Sequence, residues 1–180
     1  MVSSAFRSLV LAGFVCLSAA SPSLSQTPEE GTGVPGAEGA GLPQNITNDG
    51  WKLNCREANE TERCAAMISL REAQRNQQVL RVQIQTDPRN DRNLMVLQMP
   101  LGLFLPAGAE LLLDERRLQT LPIQTCNQQG CFATKPLSED EQNLYVIGET
   151  LSVVVQDLRR RRVQLQVPLA GLSDMLKDIK

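Results

Sequence analysis

Four cysteines in two close pairs are the residues of this chain best placed to do chemistry. Cys55 and Cys64 enclose a polar, charged stretch from Arg56 to Arg63, and Cys126 and Cys131 bracket Asn127-Gln128-Gln129-Gly130. Such pairs could exchange disulfides, bind zinc or staple the fold. Exchange favours two intervening residues at a helix start, where the attacking thiol's pKa is lowered. Cys126 and Cys131 have four between them, in a turn-like sequence. A periplasmic thiol-disulfide oxidoreductase using Cys126 and Cys131 is therefore the rival reading, not the first. Paired zinc ligands usually lie two to four residues apart, and the gap between Cys55 and Cys64 is wider. Stapling leads. If the strands flanking Cys126 and Cys131 form a hairpin, facing Cα atoms sit about 5.5 Å apart, within disulfide reach. Four cysteines allow three pairings, which the residues leave open. Each local ring would stabilise the fold by about 2–3 kcal/mol.

The other chemically suggestive groups favour structural roles. The chain has no histidine, so the commonest general base and metal ligand is missing. No Ser-x-x-Lys, Gly-x-Ser-x-Gly or glycine-rich phosphate loop appears in the mature domain from Trp51 onward, and no enzymatic activity is expected. Asp87, Asn90, Asp91 and Asn93 cluster oxygen donors, yet lack the glycine and terminal glutamate of a calcium loop; they suit a polar turn. Glu139, Asp140 and Glu141 imitate catalytic carboxylates but fit better as acids at a helix N-terminus. Arg159, Arg160, Arg161 and Arg162 form the strongest charge run. It is a candidate contact for an anion or a partner, weighed against a solvated hairpin edge that blocks strand aggregation. Neither a cofactor nor a metal is expected.

The elements that must position these groups are mainly strands. Leu80, Val82 and Ile84 alternate with polar residues, as do Leu151, Val153 and Val155, and Val163, Leu165 and Val167. A period of two marks strands with one face on a core. Asn93 to Met99 is apolar on both faces, as a central strand would be. Leu111 to Leu113 and Cys64 to Leu70 are shorter candidates. Breaks fall at Asp87-Pro88-Arg89-Asn90, Pro106-Ala107-Gly108 and Asn127 to Gly130. A β-sandwich or barrel follows, and a small closed barrel carrying a ligand is a further alternative. Two short helices decorate it, one from the capping box at Ser138 to Glu141 and one over Leu169 to Ile179. Trp51, the only tryptophan, begins the first strand and reads as a core anchor.

Residues 1–25 have the parts of a secretory signal. Arg7 supplies the charge, Leu9 to Ala20 the apolar stretch, and Ser23-Leu24-Ser25 the small-x-small cleavage site. The apolar stretch is shorter than the roughly 20 residues that span a bilayer, and no integral membrane segment is expected in the mature chain. Cys16 lies within the leader, preceded by residues that fit a lipidation box badly. Residues 26–50, rich in glycine and proline, read as a flexible tether, which leaves 51–180 as one domain. Removing the leader takes away one of 18 basic residues against 20 acidic ones, and this acidity gives no case for nucleic acid. Aromatics make up 3% of the chain, so the core must be aliphatic.

The order of these features resembles the invasion-associated locus B family of alphaproteobacterial exported proteins. The resemblance rests on Trp51 with Cys55, Cys64, Met99-Pro100-Leu101-Gly102-Leu103, Gly108 to Asp114, Cys126 to Cys131 with Gly130, and Pro168-Leu169-Ala170-Gly171-Leu172. It covers nearly everything from Trp51 onward. It implies an all-β, immunoglobulin-like β-sandwich with two short peripheral helices, stapled by local Cys55–Cys64 and Cys126–Cys131 bonds. It further implies a location in the periplasm, at the outer membrane or outside the cell. Family members usually carry serine and an aromatic where this chain has Ala170 and Leu172. The function expected is a non-enzymatic exported domain that binds a protein or envelope component.

Overall fold

The computed structural model describes residues 45–58 and 61–179. The leader, Cys16 and most of the expected tether lie outside the described residues.

Two antiparallel sheets carry the fold. The larger runs β1 (Ile46–Asn48), β3 (Thr61–Glu72), β4 (Gln78–Thr86), β5 (Asn93–Met99), β9 (Gly130–Pro136), β8 (Thr125–Asn127), and β2 (Lys52–Ala58) also pairs with β3. The smaller runs β11 (Arg162–Pro168), β10 (Thr150–Gln156), β6 (Ala109–Leu113), β7 (Arg116–Leu121). Inward side chains of both meet in one aliphatic core that includes Ile68, Leu80, Leu97, Leu111 and Val153. The expected sandwich is the fold the chain adopts, and the alternating runs supply its inner faces.

Two helices sit at one end, where β9 and β11 finish and β10 begins. Helix α1 (Glu139–Ile147) joins β9 to β10 and opens with a complete capping box between Ser138 and Glu141. Helix α2 (Leu172–Lys177) follows β11. Tyr145 and Leu172 from these helices are buried in the core, so this end is closed. At the opposite end β5 and β10 finish, β11 begins, and residues 100–108 cross from one sheet to the other with a single 3-10 turn at Leu105–Ala107.

Several boundaries differ from the sequence expectation. Ile46–Asn48 lies inside the stretch read as tether, yet pairs with Leu70, Arg71 and Glu72 of β3. Its three residues are too few for a periodicity signal. Strand β3 extends well beyond Cys64 to Leu70, because β2 pairs with its first half and β1 with its last residues. Strand β7 was not legible: Arg116–Leu121 has little apolar alternation, and its hairpin turns at Asp114 and Glu115 without a glycine. Both turn residues adopt positive φ, 47° and 68°. Helix α2 is six residues long because Gly171 takes the left-handed conformation at φ 88° immediately before it. Trp51 precedes β2 and is a core anchor as expected; its indole Nε1 donates to the Pro168 carbonyl at 2.8 Å, tying the two sheets together.

Both disulfides are local and each closes a hairpin, Cys55 to Cys64 across β2 and β3, Cys126 to Cys131 across β8 and β9. Their Cα atoms lie 4.0 Å apart in both cases, closer than the expected 5.5 Å. The spacing matches the non-hydrogen-bonded class of antiparallel pair, whose Cα atoms approach to about 4.5 Å. Gly130 is required beside the second bond: its φ is 133°, and a Cβ there would collide with the Met99 carbonyl. The C126A/C131A double variant is expected to lose about 2 kcal/mol of unfolding free energy, read as a lower urea midpoint at unchanged slope.

Candidate functional site

The cysteine pairs are positioned for stapling. Cys131 is 2% exposed and sits on β9 against Met99, in a hairpin rather than at a helix start, so the dipole that activates an exchanging thiol is not supplied. Glu62 lies near the Cys55 and Cys64 sulfurs, but the bond between them removes the thiolates a zinc ion would need. Two of the four oxygen donors of the 87–93 loop, Asp87 and Asn90, are turned onto the loop's own backbone. Asp87 accepts from the Arg89 amide and Asn90 from the Arg92 amide, both at 3.0 Å. Asn93 donates to Gln142 at 2.6 Å, fastening β5 to α1. This is a polar turn and a helix contact.

Glu139, Asp140 and Glu141 occupy the first turn of α1. Glu141 accepts from the Ser138 amide and pairs with Lys135, a lysine only 9% exposed. Burial works to raise the Glu141 pKa. The Lys135 hydrogen bond and charge, together with hydrogen bonds from Ser138, outweigh burial and hold the carboxyl below its ordinary value. One turn further on, burial and the nearby Glu141 push the Tyr145 phenol up to about 12. The cluster docks the helix onto β9.

The arginine run does occupy a hairpin tip, between β10 and β11, but its four members do different things. Asp157 knots the turn, accepting from the Arg159 and Arg161 amides at 2.8 Å and from the Arg161 guanidinium at 2.7 Å. Arg162 pairs with Glu110 of β6 at 2.7 Å, and Glu110 also holds Arg117 of β7 at 2.7 Å. Since β10 lies between β11 and β6, the Arg162–Glu110 bridge crosses its outer face, which accounts for the burial of Val154 on the side away from the core. Arg160 stacks on Phe104, its guanidinium carbon 4.7 Å from the ring centroid. Arg159 alone of the four has no side-chain partner among the described residues.

That tip borders a groove at the open end of the sandwich, of about 390 Å³. Val79 and Met99 of the larger sheet face Val155, Val163 and Leu165 of the smaller one across it. The crossover contributes Pro100 to Leu103, turned by Gly102 at φ 89° and bridged to the smaller sheet between Leu103 and Asp157. Leu101 and Leu158 project at its mouth, 58% and 73% exposed. The Met99 to Leu103 stretch and the arginine run, far apart in sequence, thus meet at one end of the molecule. Alternation gave no hint of the groove, because its walls are ordinary core positions of four strands. Leu158, an apolar residue in an otherwise charged hairpin tip, was the one local sign. Among the described residues no helix is long and apolar enough to cross a membrane.

Two antiparallel sheets, disulfide-closed hairpins and helices at one end define the class: a stapled β-sandwich. The crystal structure of invasion associated protein B from Bartonella henselae has the same fold, with a TM-score of 0.61 at 19% identity over 71% of this chain and 88% of that one. Two invasion protein B homologues from Brucella abortus, of strain 2308 and of biovar 1 strain 9-941, are each 29% identical over 145 residues, spanning 79% of this chain and 82% of theirs. The invasion associated locus B family model matches residues 51–180, and the chain belongs to that family.

Linkage gives the Glu141 arrangement a measurable sign. A carboxyl whose folded pKa lies below its unfolded value stabilises fully above the unfolded value, and that contribution fades as pH falls through the folded one. As pH falls from the ordinary carboxyl value of 4.5 through the lower folded one, the native protein should therefore lose stability more steeply than E141Q. Parallel urea-midpoint curves for the two would show that Glu141 is not linked to folding.

Proposed function

We propose that this protein is an exported, non-enzymatic β domain of the bacterial cell envelope that binds a protein or another envelope component. The contact lies at the open end of the sandwich. The observation that carries the reading is the mouth of the groove, where exposed Leu101 and Leu158 stand beside unpaired Arg159 on a disulfide-held frame. Apolar anchors rimmed by charge are what a binding surface needs: burial of the anchors supplies affinity, and the rim supplies encounter rate and salt dependence. Supporting it are the secretory character of residues 1–25 and the oxidising compartment that paired disulfides suit. Membership of a family whose Brucella and Bartonella relatives are named for invasion is consistent with it. Within the arginine run, Arg159 is the member free to meet a partner, with Arg160 the next most available. Arg161 and Arg162 are held by Asp157 and Glu110.

Cosedimentation of the purified mature protein with bacterial envelope fractions tests this. Retention is expected for the native chain, weakened about tenfold or more in L101S/L158S. A milder loss that grows with salt is expected for R159S. Retention unchanged in both variants would place the contact elsewhere on the surface.

A further inference from the structure

The same groove has the features of a site for one alkyl chain with an acidic head. Its walls are side chains that belong to the core but keep slight exposure: Val79 8%, Met99 2%, Leu103 9%, Val155 3%, Val163 4% and Leu165 5%. Many central core residues, such as Leu80, Leu97 and Leu111, are at 0%. Packing of the two sheets therefore stops short of this end, leaving a slot between them, while the helices close the other. At about 390 Å³ the slot lies near the lower end of the ~300–1,000 Å³ typical of small-molecule sites. That suits one chain better than a multi-chain lipid.

The charges at its edge give the head group. Among the groove residues, Asp157 is committed to Arg161. Arg75, in the loop between β3 and β4, and Arg159, in the β10–β11 tip, have no ion partner among the described residues, and Glu72 is the one unpaired acid beside them. Two guanidiniums against one carboxylate leave the rim net positive. A guanidinium offers a planar fork of donors that matches a carboxylate, an arrangement stronger than a neutral hydrogen bond.

We propose that the groove binds a single-chain carboxylate amphiphile, its alkyl chain between the sheets and its head between Arg75 and Arg159. This specifies the envelope component of the preceding reading and rests on it. The occupant is identified by chemistry: a free long-chain carboxylate.

Calorimetric titration of the mature, disulfide-intact protein with alkanoates from hexanoate to dodecanoate, below their micellar concentrations, tests the assignment. Saturable one-to-one binding is expected. Each added methylene should tighten it about fourfold until the slot is full. Dodecyltrimethylammonium, with the same chain and opposite head charge, should bind about tenfold or more weakly than dodecanoate. The R75S/R159S variant, altered only at exposed positions and checked for a native circular dichroism spectrum, should lose that preference while retaining chain-length dependence. No saturable binding, or binding indifferent to head charge and to R75S/R159S, would overturn the proposal. Envelope retention without alkanoate binding would sink this assignment alone and point to a partner's apolar side chain in the groove. Alkanoate binding without envelope retention would sink the envelope contact while leaving the groove's ligand class standing.

Discussion

Contact between the inner faces of two sheets, made almost wholly of Leu, Ile, Val and Met, is the constraint on which the rest of this molecule depends. Each such side chain contributes about 1.5–3 kcal/mol when fully buried, and with so few aromatic residues only Trp51 and Tyr145 bring large rings to the buried core of the described residues. The two sheets must therefore fill the interior by interdigitation, and the fill ends where the strands end. Helices α1 and α2 complete it at one end with Tyr145 and Leu172. At the other end only the 100–108 crossover and a hairpin tip are available, and they line a groove without filling it.

Neither disulfide bridges the two sheets, although Cys131 is itself buried in their shared core. Both bonds lie within the larger sheet, joining neighbouring strands. Cohesion between the sheets rests on the aliphatic core, on the Trp51 bond to the Pro168 carbonyl, and on the crossover itself. The smaller sheet is braced instead by charge, with Glu110 gathering Arg117 and Arg162 from strands on either side. In this way an arginine run that looks like one basic patch in sequence becomes a turn lock, a strap across β10, a ring-stacked residue and one free guanidinium.

Sequence patterns revealed the frame better than the details. The runs around Val82, Val153 and Leu165 declare themselves because one face is buried and the other wet, which imposes the period directly. The Ser138 to Glu141 capping box was equally readable, being a local contract between residues three apart. Strand β7 and the short β1 escaped because their pairing is decided by neighbours distant in the chain, with little apolar alternation of their own. The division of labour within Arg159 to Arg162 was invisible for the same reason: the partner that claims Arg162 sits 52 residues away. The groove was least legible of all, since no residue in it departs from core-like chemistry. It exists because of where packing stops.

The placement of the two disulfides also bears on how the molecule is made. Each ring joins cysteines only nine or five positions apart, so closing it requires little more than a formed hairpin. On a chain delivered N-terminus first, Cys55 can meet Cys64 while Cys126 is still far behind. Oxidation in order of emergence then yields the native pairing by itself. A protein laid out this way can mature with an oxidant alone and makes little demand on the machinery that reshuffles wrongly joined cysteines.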